Sequence, residues 1–362
     1  MIKVLIIDDS AVIRNLLTEI LNEAGDIEVV GTAQDPIFAF NKIKNLQPDV
    51  LTLDVEMPRM DGLSFLDQLM KTNPLPVVMV SALTQKGCET TLKALELGAV
   101  DYVSKPAIDV SSGVIALADE IIKKVRIAAK AKVRVIGKDQ GLAHAGFKQG
   151  VLANGQGKKD LVQSASGLDT RKMATTDMIV AIGASTGGTQ AITEVITRLP
   201  ESTPGIVIVQ HMPPVFTRSF ADRLNAISKL DVKEAKTGDR VLTGTALIAP
   251  GDKHMTIKRN GAMYYVDIGD GPMVNYVRPS VDVLFRSVAK YAGKNAVGVI
   301  LTGMGEDGAR GLLEMKEAGA HTVAQDEASS IVFGMPKKAI EMGAADKVVP
   351  LDEMSKTIID NV

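Results

Sequence analysis

The stretch that decides the fold is "MIVAIGASTGGTQ", residues 178–190. An apolar run leads into a glycine-rich turn around Ser185, and the amphipathic run "AITEVITRL", residues 191–199, follows directly. This pattern predicts a strand, a tight turn and a helix, which is the repeating unit of a parallel α/β sheet. Such a turn either binds a phosphate group or presents a serine nucleophile, and neighbouring stretches discriminate between the two.

A dinucleotide-binding turn has the pattern G-x-G-x-x-G, with an acidic residue at the end of the next strand. Here Ser185 replaces the middle glycine, between Gly183 and Gly188. The next apolar run, "GIVIVQHM" (residues 205–212), ends in Gln210 and His211 instead of an acid. Both departures count against a nucleotide site.

The same turn fits the pattern G-x-S-x-G, which exposes a serine between a strand and a helix. That motif alone is weak, because a serine at such a turn commonly caps the helix. His211 follows the next strand, however, and Asp307 follows a third apolar run, "AVGVILTGMG" (residues 296–305). Adjacent parallel strands lie about 4.8 Å apart, so side chains at their carboxyl ends can meet.

These three residues predict a serine esterase mechanism. We expect Ser185 to be the nucleophile, His211 its general base and Asp307 the group that orients the imidazole. The glycine-rich turn around Met304, and Thr186 beside the nucleophile, are candidates for binding the oxyanion. The chain order Ser, His, Asp differs from the order in α/β-hydrolases, which indicates another sheet hosting the same geometry.

Residues 1–125 show a second pattern of strands alternating with helices, and polar side chains follow its apolar runs. The predicted strand ends carry Asp8 and Asp9, then Asp54, Ser81 and Lys105. Carboxyl ends of parallel strands form the site in such sheets. Three converging carboxylates suit a hard cation such as Mg²⁺, and the set suits phosphoryl transfer to Asp54.

The chain has 362 residues, which is enough for two cores. We predict an N-terminal domain at 1–125, a flexible basic linker at 126–176 rich in Gly, Ala, Gln, Ser and Lys, and a catalytic domain at 177–362. Both domains are predicted to be α/β with doubly wound parallel sheets, five-stranded in the first. The second adds an antiparallel hairpin, predicted over "TALIAPGDKHMTIKRNGAMYYVDIG" (residues 245–269) and closed at Asn260-Gly261.

Composition excludes several classes of function. A net charge of −2 gives no global basic field, so we expect no nucleic-acid partner. The single cysteine fits a reducing compartment, and no apolar run approaches the roughly 20 residues that a membrane span needs. The N-terminus lacks the pattern of a secretory signal. We therefore expect a cytoplasmic monomer with no direct membrane insertion.

The first domain resembles a response-regulator receiver domain through "IDDS" (7–10), "LDVEMPRMDG" (53–62), "VSA" (80–82) and "SKP" (104–106). The resemblance implies that Asp54 is the phospho-acceptor and that Tyr102 is the family's switch aromatic. It implies the following Mg²⁺ ligands: Asp8, Asp9, Asp54 and the backbone carbonyl of Glu56. It implies contacts to the phosphoryl group from Ser81 and Lys105.

The second domain resembles the chemotaxis receptor methylesterases of the CheB family. The motifs that carry the resemblance are "IGASTGG" (182–188), "VQHMPPVFTRSFADRL" (209–224), "ALIAPGDKHM" (246–255), "PSVDVLF" (279–285) and "LTGMGEDGARGL" (301–312). The resemblance implies hydrolysis of glutamate methyl esters on cytoplasmic chemoreceptor helices, and in some members deamidation of glutamines. It places the Met304 N–H in the oxyanion hole beside Thr186, and the esterase chemistry needs no metal.

The resemblance also implies regulation and partners. The receiver would cover the esterase cleft until a chemotaxis histidine kinase phosphorylates Asp54, and methylated chemoreceptors would be the substrate. Two alternatives remain open from the residues alone. The receiver could be joined to a Rossmann-like dinucleotide module, or to a non-catalytic domain that only binds receptors.

Overall fold

The structure is a computed structural model that describes residues 1–57, 60–81, 84–105, 111–133 and 178–362. Most of the predicted linker, residues 134–176, lies outside the described residues. The remainder forms two α/β domains, one on each side of that segment.

The first domain contains five strands that are each followed by a helix. The strands are β1 (Ile2–Ile7), β2 (Ile27–Ala33), β3 (Val50–Asp54), β4 (Val77–Ser81) and β5 (Asp101–Ser104). The helices are α1 (Ala11–Glu23), α2 (Pro36–Leu46), α3 (Gly62–Thr72), α4 (Gln85–Glu96) and α5 (Ser111–Ala128). All strands are parallel, in the order β2-β1-β3-β4-β5, so the predicted doubly wound receiver sheet is confirmed.

Local sequence signals fix where these helices begin and end. Ser10 precedes α1 and its hydroxyl accepts a hydrogen bond from the Ile13 N–H, while the Asp35 carboxylate caps α2 in the same way. Helix α5 continues to Ala128, past the predicted boundary at 125. Its last turn stays helical because Val125 and Ala128 are buried in the core beside α1.

The second domain is built on a sheet of seven strands, all parallel. They are β6 (Ile179–Ala184), β7 (Gly205–Gln210), β8 (Asp231–Glu234), β9 (Thr245–Ile248), β12 (Ala296–Ile300), β13 (His321–Gln325) and β14 (Lys347–Val349). Their order in the sheet is β14-β13-β12-β6-β7-β9-β8. The helices that cover the sheet and its edges are α6 (Gly188–Arg198), α7 (Pro214–Ile227), α8 (Val281–Tyr291), α9 (Ala309–Glu317), α10 (Met335–Glu341) and α11 (Leu351–Ile359).

The predicted antiparallel hairpin is present as β10 (His254–Asn260) and β11 (Met263–Gly269). Its two-residue turn is Gly261-Ala262, one position later than predicted, because Asn260 pairs with Met263. Gly261 has φ +59, and a hairpin turn with glycine at its first central position has this conformation. The segment 245–248, which we expected to belong to the hairpin, instead forms β9 of the main sheet.

Three adjacent strands of the second sheet position the site. β12, β6 and β7 are neighbours, and every residue in each of them is buried. A strand covered by helices on both faces reads as a continuous apolar run, as these three do. Their carboxyl ends therefore come together at one edge of the sheet, where Ser185 and His211 follow β6 and β7.

Candidate active site

Backbone hydrogen bonds fix the relative positions of the three strand ends. The Ser185 N–H donates to the carbonyl of Thr302, just after β12, at 3.0 Å. The His211 N–H donates to the carbonyl of Ala184, at the end of β6, at 3.2 Å. Ser185, the predicted nucleophile, thus continues the pairing of β6 with β12 by one residue. His211 does the same for the pairing of β7 with β6.

Two glycines allow the chain to turn at this point. Gly187 has φ +77 and is the N-terminal capping residue of α6, a left-handed conformation that favours glycine. Gly303 lies so close to the nucleophile that a Cβ atom added there would sit 2.8 Å from the Cβ atom of Ser185. A side chain at position 303 would therefore displace Ser185.

His211 and Asp307 are in direct contact. The distance from His211 Nε2 to Asp307 Oδ2 is 2.9 Å. With Asp307 ionised, Nε2 carries the proton, so the other ring nitrogen, Nδ1, is the one available to a nucleophile. Across the described residues the Ser185 hydroxyl has no hydrogen bond to the imidazole, and such bonds commonly tighten only when substrate is bound.

Asp307 is buried and receives several hydrogen bonds. The Val281 N–H donates to Oδ2 at 2.6 Å, and Oδ1 accepts from the Ser280 hydroxyl at 2.7 Å and the Asn275 amide at 2.8 Å. Burial acts to raise the pKa of Asp307, but the hydrogen bond and charge of His211, followed by the bonds from Ser280 and Asn275, outweigh it and hold the pKa below its ordinary value. The Asp307 carboxylate is therefore ionised at neutral pH, where it can accept the His211 N–H and stabilise a positive charge on the ring.

Sequence reasoning missed the contribution of Asn275. Its amide Nδ2 lies 2.8 Å from Asp307 Oδ1 and 2.9 Å from Asp282 Oδ2, so it bridges two buried carboxylates. Asn275 has φ +54, which Asn tolerates better than most residues. Nothing in the local sequence pattern signals a contact that spans so many residues of chain.

His254 supports a loop next to Asp307. The ring is buried, its Nε2 lies 2.9 Å from the carbonyl of Pro272, and its Nδ1 accepts from the Ser280 N–H at 3.2 Å. Both ring nitrogens are thus engaged in fixing residues 272–280.

Two further side chains hold residues 185–187, the nucleophile loop between β6 and α6. The amide of Gln210 donates to the carbonyl of Ser185 at 2.9 Å. The Thr302 hydroxyl donates to the carbonyl of Thr186 at 3.0 Å and accepts from the Val332 N–H at 2.9 Å. Because both side chains are buried, the backbone of the loop is held from two neighbouring strand ends.

The predicted oxyanion groups have different environments. Met304 lies in the exposed turn after β12, whose Gly303 carbonyl accepts from the Met335 N–H at 2.8 Å. Thr186 is buried, and its hydroxyl donates to Oδ2 of Asp101 in the receiver at 2.6 Å. One of the two candidates therefore faces the other domain directly.

The predicted phosphorylation site in the receiver combines acids and one lysine. Lys105 Nζ lies 2.6 Å from Asp54 Oδ2 and 3.2 Å from Asp8 Oδ2. Burial, with the nearby charge of Asp8, raises the pKa of Asp54 to about 6 despite its bond to Lys105. Burial also raises the pKa of Asp8. Two buried carboxylates thus share one cation.

The acidic cluster fits a divalent cation. One carboxylate oxygen from each of Asp8, Asp9 and Asp54 lies within 4.8 Å of the others. Oδ2 of Asp8 is buried with Lys105 Nζ 3.2 Å away, and Asp9 is exposed to solvent. A hard cation takes such oxygen ligands and relieves their mutual repulsion. The donor set therefore matches the predicted Mg²⁺ site.

The other predicted receiver residues lie around this cluster or behind it. Ser81 ends β4 and is buried, and the Glu56 N–H donates to Asp54 Oδ1 at 3.3 Å. Tyr102 is buried on β5. Its ring stacks on Phe216 of α7 with 4.3 Å between centroids, which places it between the two domains.

The receiver packs against the catalytic domain beside the nucleophile loop. Helix α4 lies against α6 and α7, and apolar residues of both domains join one buried cluster. Gln190 of α6 donates to the carbonyl of Leu95, and Arg223 of α7 forms a two-pronged ion pair with Glu96. Sequence patterns predicted two domains but not the surfaces through which they meet.

Fold and site together fit one class of protein: a hydrolase domain on a parallel sheet, joined to a receiver domain. Family profiles agree, matching CheB methylesterase at residues 180–358 and the response regulator receiver domain at residues 4–112. None of the helices in the described ranges is both long and apolar enough to cross a membrane.

Relatives resemble the whole chain. "Protein-glutamate methylesterase/protein-glutamine glutaminase 3" of Burkholderia lata is 54% identical over 358 residues, covering 99% of this chain and 95% of the relative. The protein-glutamate methylesterase/protein-glutamine glutaminase of Salmonella choleraesuis is 54% identical, covering 100% and 97%. The crystal structure of the Thermotoga maritima CheB methylesterase catalytic domain is 42% identical with a TM-score of 0.50, covering 51% of this chain and 98% of that one. The chain belongs to the CheB methylesterase family.

Proposed function

We propose that the protein hydrolyses methyl esters of glutamate side chains on the cytoplasmic helices of chemoreceptors, giving glutamate and methanol. The observation that supports the proposal is the 2.9 Å contact between His211 Nε2 and Asp307 Oδ2, next to the strand end that carries Ser185. Its relatives' names describe the same activity.

In the mechanism we propose, the Ser185 hydroxyl oxygen attacks the ester carbonyl while Nδ1 of His211 takes its proton. The resulting oxyanion is held by the Met304 N–H and by Thr186. The imidazolium returns the proton to the departing methoxide. Methanol is released, and the glutamyl group remains on Ser185 as an acyl-enzyme. Water attacks this ester by the same sequence and releases the glutamate side chain.

The buried carboxylate makes this proton transfer favourable. His211 becomes positively charged as Ser185 attacks, and Asp307, ionised and fixed by four protein donors besides the imidazole, stabilises that charge without moving. Glutamine deamidation would use the same acyl-enzyme, with ammonia leaving in place of methanol. We include it as a second activity because the relatives' names carry it.

The receiver is proposed to take a phosphoryl group on Asp54 from a chemotaxis histidine kinase. Asp8, Asp9, Asp54 and the Glu56 carbonyl would hold Mg²⁺, which when bound neutralises charge on the phosphoryl oxygens. Lys105 already lies against Asp54 and would transfer its contact to the phosphoryl group, next to Ser81.

Phosphorylation is proposed to open the esterase site because β5 connects the phosphorylation site to the surface that contacts the catalytic domain. Its first residue, Asp101, accepts the hydrogen bond from Thr186, and Tyr102 stacks on Phe216. Lys105, one residue past the end of the strand, contacts Asp54. A displacement of Lys105 is thus connected, through four residues of strand, to the groups that cover the nucleophile loop.

The test is methanol release from receptor membranes methylated in vitro, with the full chain and with acetyl phosphate as phosphodonor. Wild-type protein should release methanol, and Ser185→Ala should abolish release while unfolding at the same urea concentration. Ser219→Ala, on α7, serves as the matched control. Near-wild-type release by Ser185→Ala would exclude the proposed mechanism, and tight binding of NAD by the full chain would favour the dinucleotide alternative.

A further inference from the structure

The loop between β11 and α8 brings an exposed tyrosine next to the triad. Residues 272–278 form a narrow turn in which Val274 and Val277 pair across an isolated bridge. Asn275 points inwards and donates to Asp307, while its neighbour Tyr276 is 95% exposed. The tyrosine is therefore one residue away from a direct contact with the triad carboxylate.

The fold gains nothing visible from a tyrosine at this position. Tyr276 has φ +62, a left-handed conformation that is unfavourable for a bulky side chain and easier for Asn or Gly. Within the described ranges its hydroxyl has no hydrogen-bond partner, and its ring stacks on no other ring. An exposed aromatic in a strained conformation is a feature that function, and not stability, explains.

The loop is held firmly enough to present this side chain. Arg278 donates to Asp252 at 3.0 and 2.7 Å and to the carbonyl of Gly271 at 2.9 Å. The two ring nitrogens of His254 bind the carbonyl of Pro272 and the N–H of Ser280, so they hold the loop near both of its ends. Met273, in the same turn, is 62% exposed, so the turn presents two large apolar side chains to solvent on a fixed backbone.

We propose that Tyr276 and Met273 contact the receptor helix that carries the glutamyl ester, and so determine affinity for a protein substrate. This inference rests on the proposed function. The inference predicts that hydrolysis of a small ester does not depend on these side chains, whereas binding of a receptor helix, which is far longer than its one glutamyl ester, does. Tyrosine gives a large contact area for little loss of rotamer freedom, which is why it dominates many protein interfaces.

The receiver does not cover this contact. Thr186 is bonded to the receiver, but Tyr276 stays almost fully exposed in the same structure. The turn is therefore available to a receptor helix while the nucleophile loop is still covered.

The experiment measures KM and kcat for methylated receptor membranes with the full chain activated by acetyl phosphate. Tyr276→Asn removes the ring and relieves the left-handed strain, so KM should rise about tenfold with a smaller change in kcat, and Tm should stay equal or rise. Tyr276→Phe keeps the ring and should stay within about twofold of wild-type KM. Val348→Asn, on exposed strand β14, is the matched control for loss of an exposed apolar side chain.

A wild-type KM in Tyr276→Asn would overturn the inference. So would an equal fall in the rate at which a fluorophosphonate labels Ser185, since the loop would then act through Asp307 and not through the receptor. Failure of the proposed function looks different, because wild-type protein itself would release no methanol. Co-sedimentation with receptor membranes would still show whether Tyr276→Asn weakens binding.

Discussion

The Thr186 hydroxyl of the catalytic domain donates a 2.6 Å hydrogen bond to the Asp101 carboxylate of the receiver. Asp101 is also paired with Lys124 of α5 at 3.2 Å, so its position is fixed from within the receiver. The residue next to the nucleophile is therefore engaged by the other domain. A substrate that needs Thr186 for its oxyanion must displace that bond.

The interdomain ion pair offers the first prediction. Glu96→Arg places two cations together where Arg223 now meets a carboxylate, so the unphosphorylated chain should gain activity by roughly tenfold. Adding Arg223→Glu restores an ion pair of reversed polarity and should restore low activity. Methanol release without phosphodonor is the measurement. Equal activity in wild type, single and double variants would show that this contact does not restrain the site.

Phosphorylation at Asp54 gives the second prediction. Asp54→Asn keeps the size of the side chain but removes the acceptor carboxylate, so acetyl phosphate should no longer stimulate methanol release. Basal release should remain, because Asp54 belongs to the receiver sheet, whereas Ser185 follows a strand of the other sheet. Asp67→Asn, on the exposed face of α3, is the matched control. If acetyl phosphate still stimulated Asp54→Asn, another residue would have to accept the phosphoryl group.

The third prediction concerns the backbone of the nucleophile loop. Gln210→Glu replaces the amide that donates to the Ser185 carbonyl by an oxygen that cannot, so kcat should fall about 10- to 100-fold. KM for the receptor should change less, since the substituted atom is buried under the loop. Gln68→Glu, on the surface of α3, controls for the added charge. An unchanged kcat would show that the Gln210 bond does not position Ser185.

The fourth prediction uses the lowered pKa of Asp307. A folded-state pKa below the ordinary value contributes stability that is present above the ordinary value of 3.8 and is lost as pH falls through the folded-state pKa. Asn275→Gly removes one donor without left-handed strain, so the pKa of Asp307 should rise. The free energy of unfolding should therefore be lower than that of wild type at about pH 7. This difference between the two proteins should close as the pH falls below about 4.

Urea unfolding at a series of pH values provides the measurement, and Asp307→Asn is the reference because it cannot titrate. The gap between Asp307→Asn and Asn275→Gly/Asp307→Asn should not depend on pH in this range. A gap that closes equally in both backgrounds would assign the effect to other carboxylates, such as Asp282, which also receives the Asn275 amide.

Much of the fold, and the position of Ser185 and His211 at neighbouring strand ends, could be predicted because both depend on regular features of sequence. Strands buried on both faces give continuous apolar runs, and parallel neighbours bring Ser185 and His211 to one edge. The contact between His211 and Asp307 agrees with the placement that the same rule predicted for Asp307. The short edge strands β8 and β14 were not predicted, since a few residues with little burial carry too weak a pattern.

The supporting contacts could not be predicted for a different reason. Asn275 reaches Asp307 and Thr302 reaches Thr186 through side chains whose directions depend on loops distant in sequence. The amphipathic pattern of α4 indicates a buried face but not that part of it packs on another domain. Partners of this kind become visible only when the loops and both domains are placed together.

The shared use of Thr186 makes the two sites thermodynamically reciprocal. If the receiver and a receptor helix compete for the nucleophile loop, any ligand of Asp54 that releases the loop strengthens receptor binding by some factor. Linkage then requires the receptor to strengthen the binding of that ligand by the same factor. Chemoreceptors would thus act as effectors of the receiver as well as substrates, favouring its activated state on those molecules already docked.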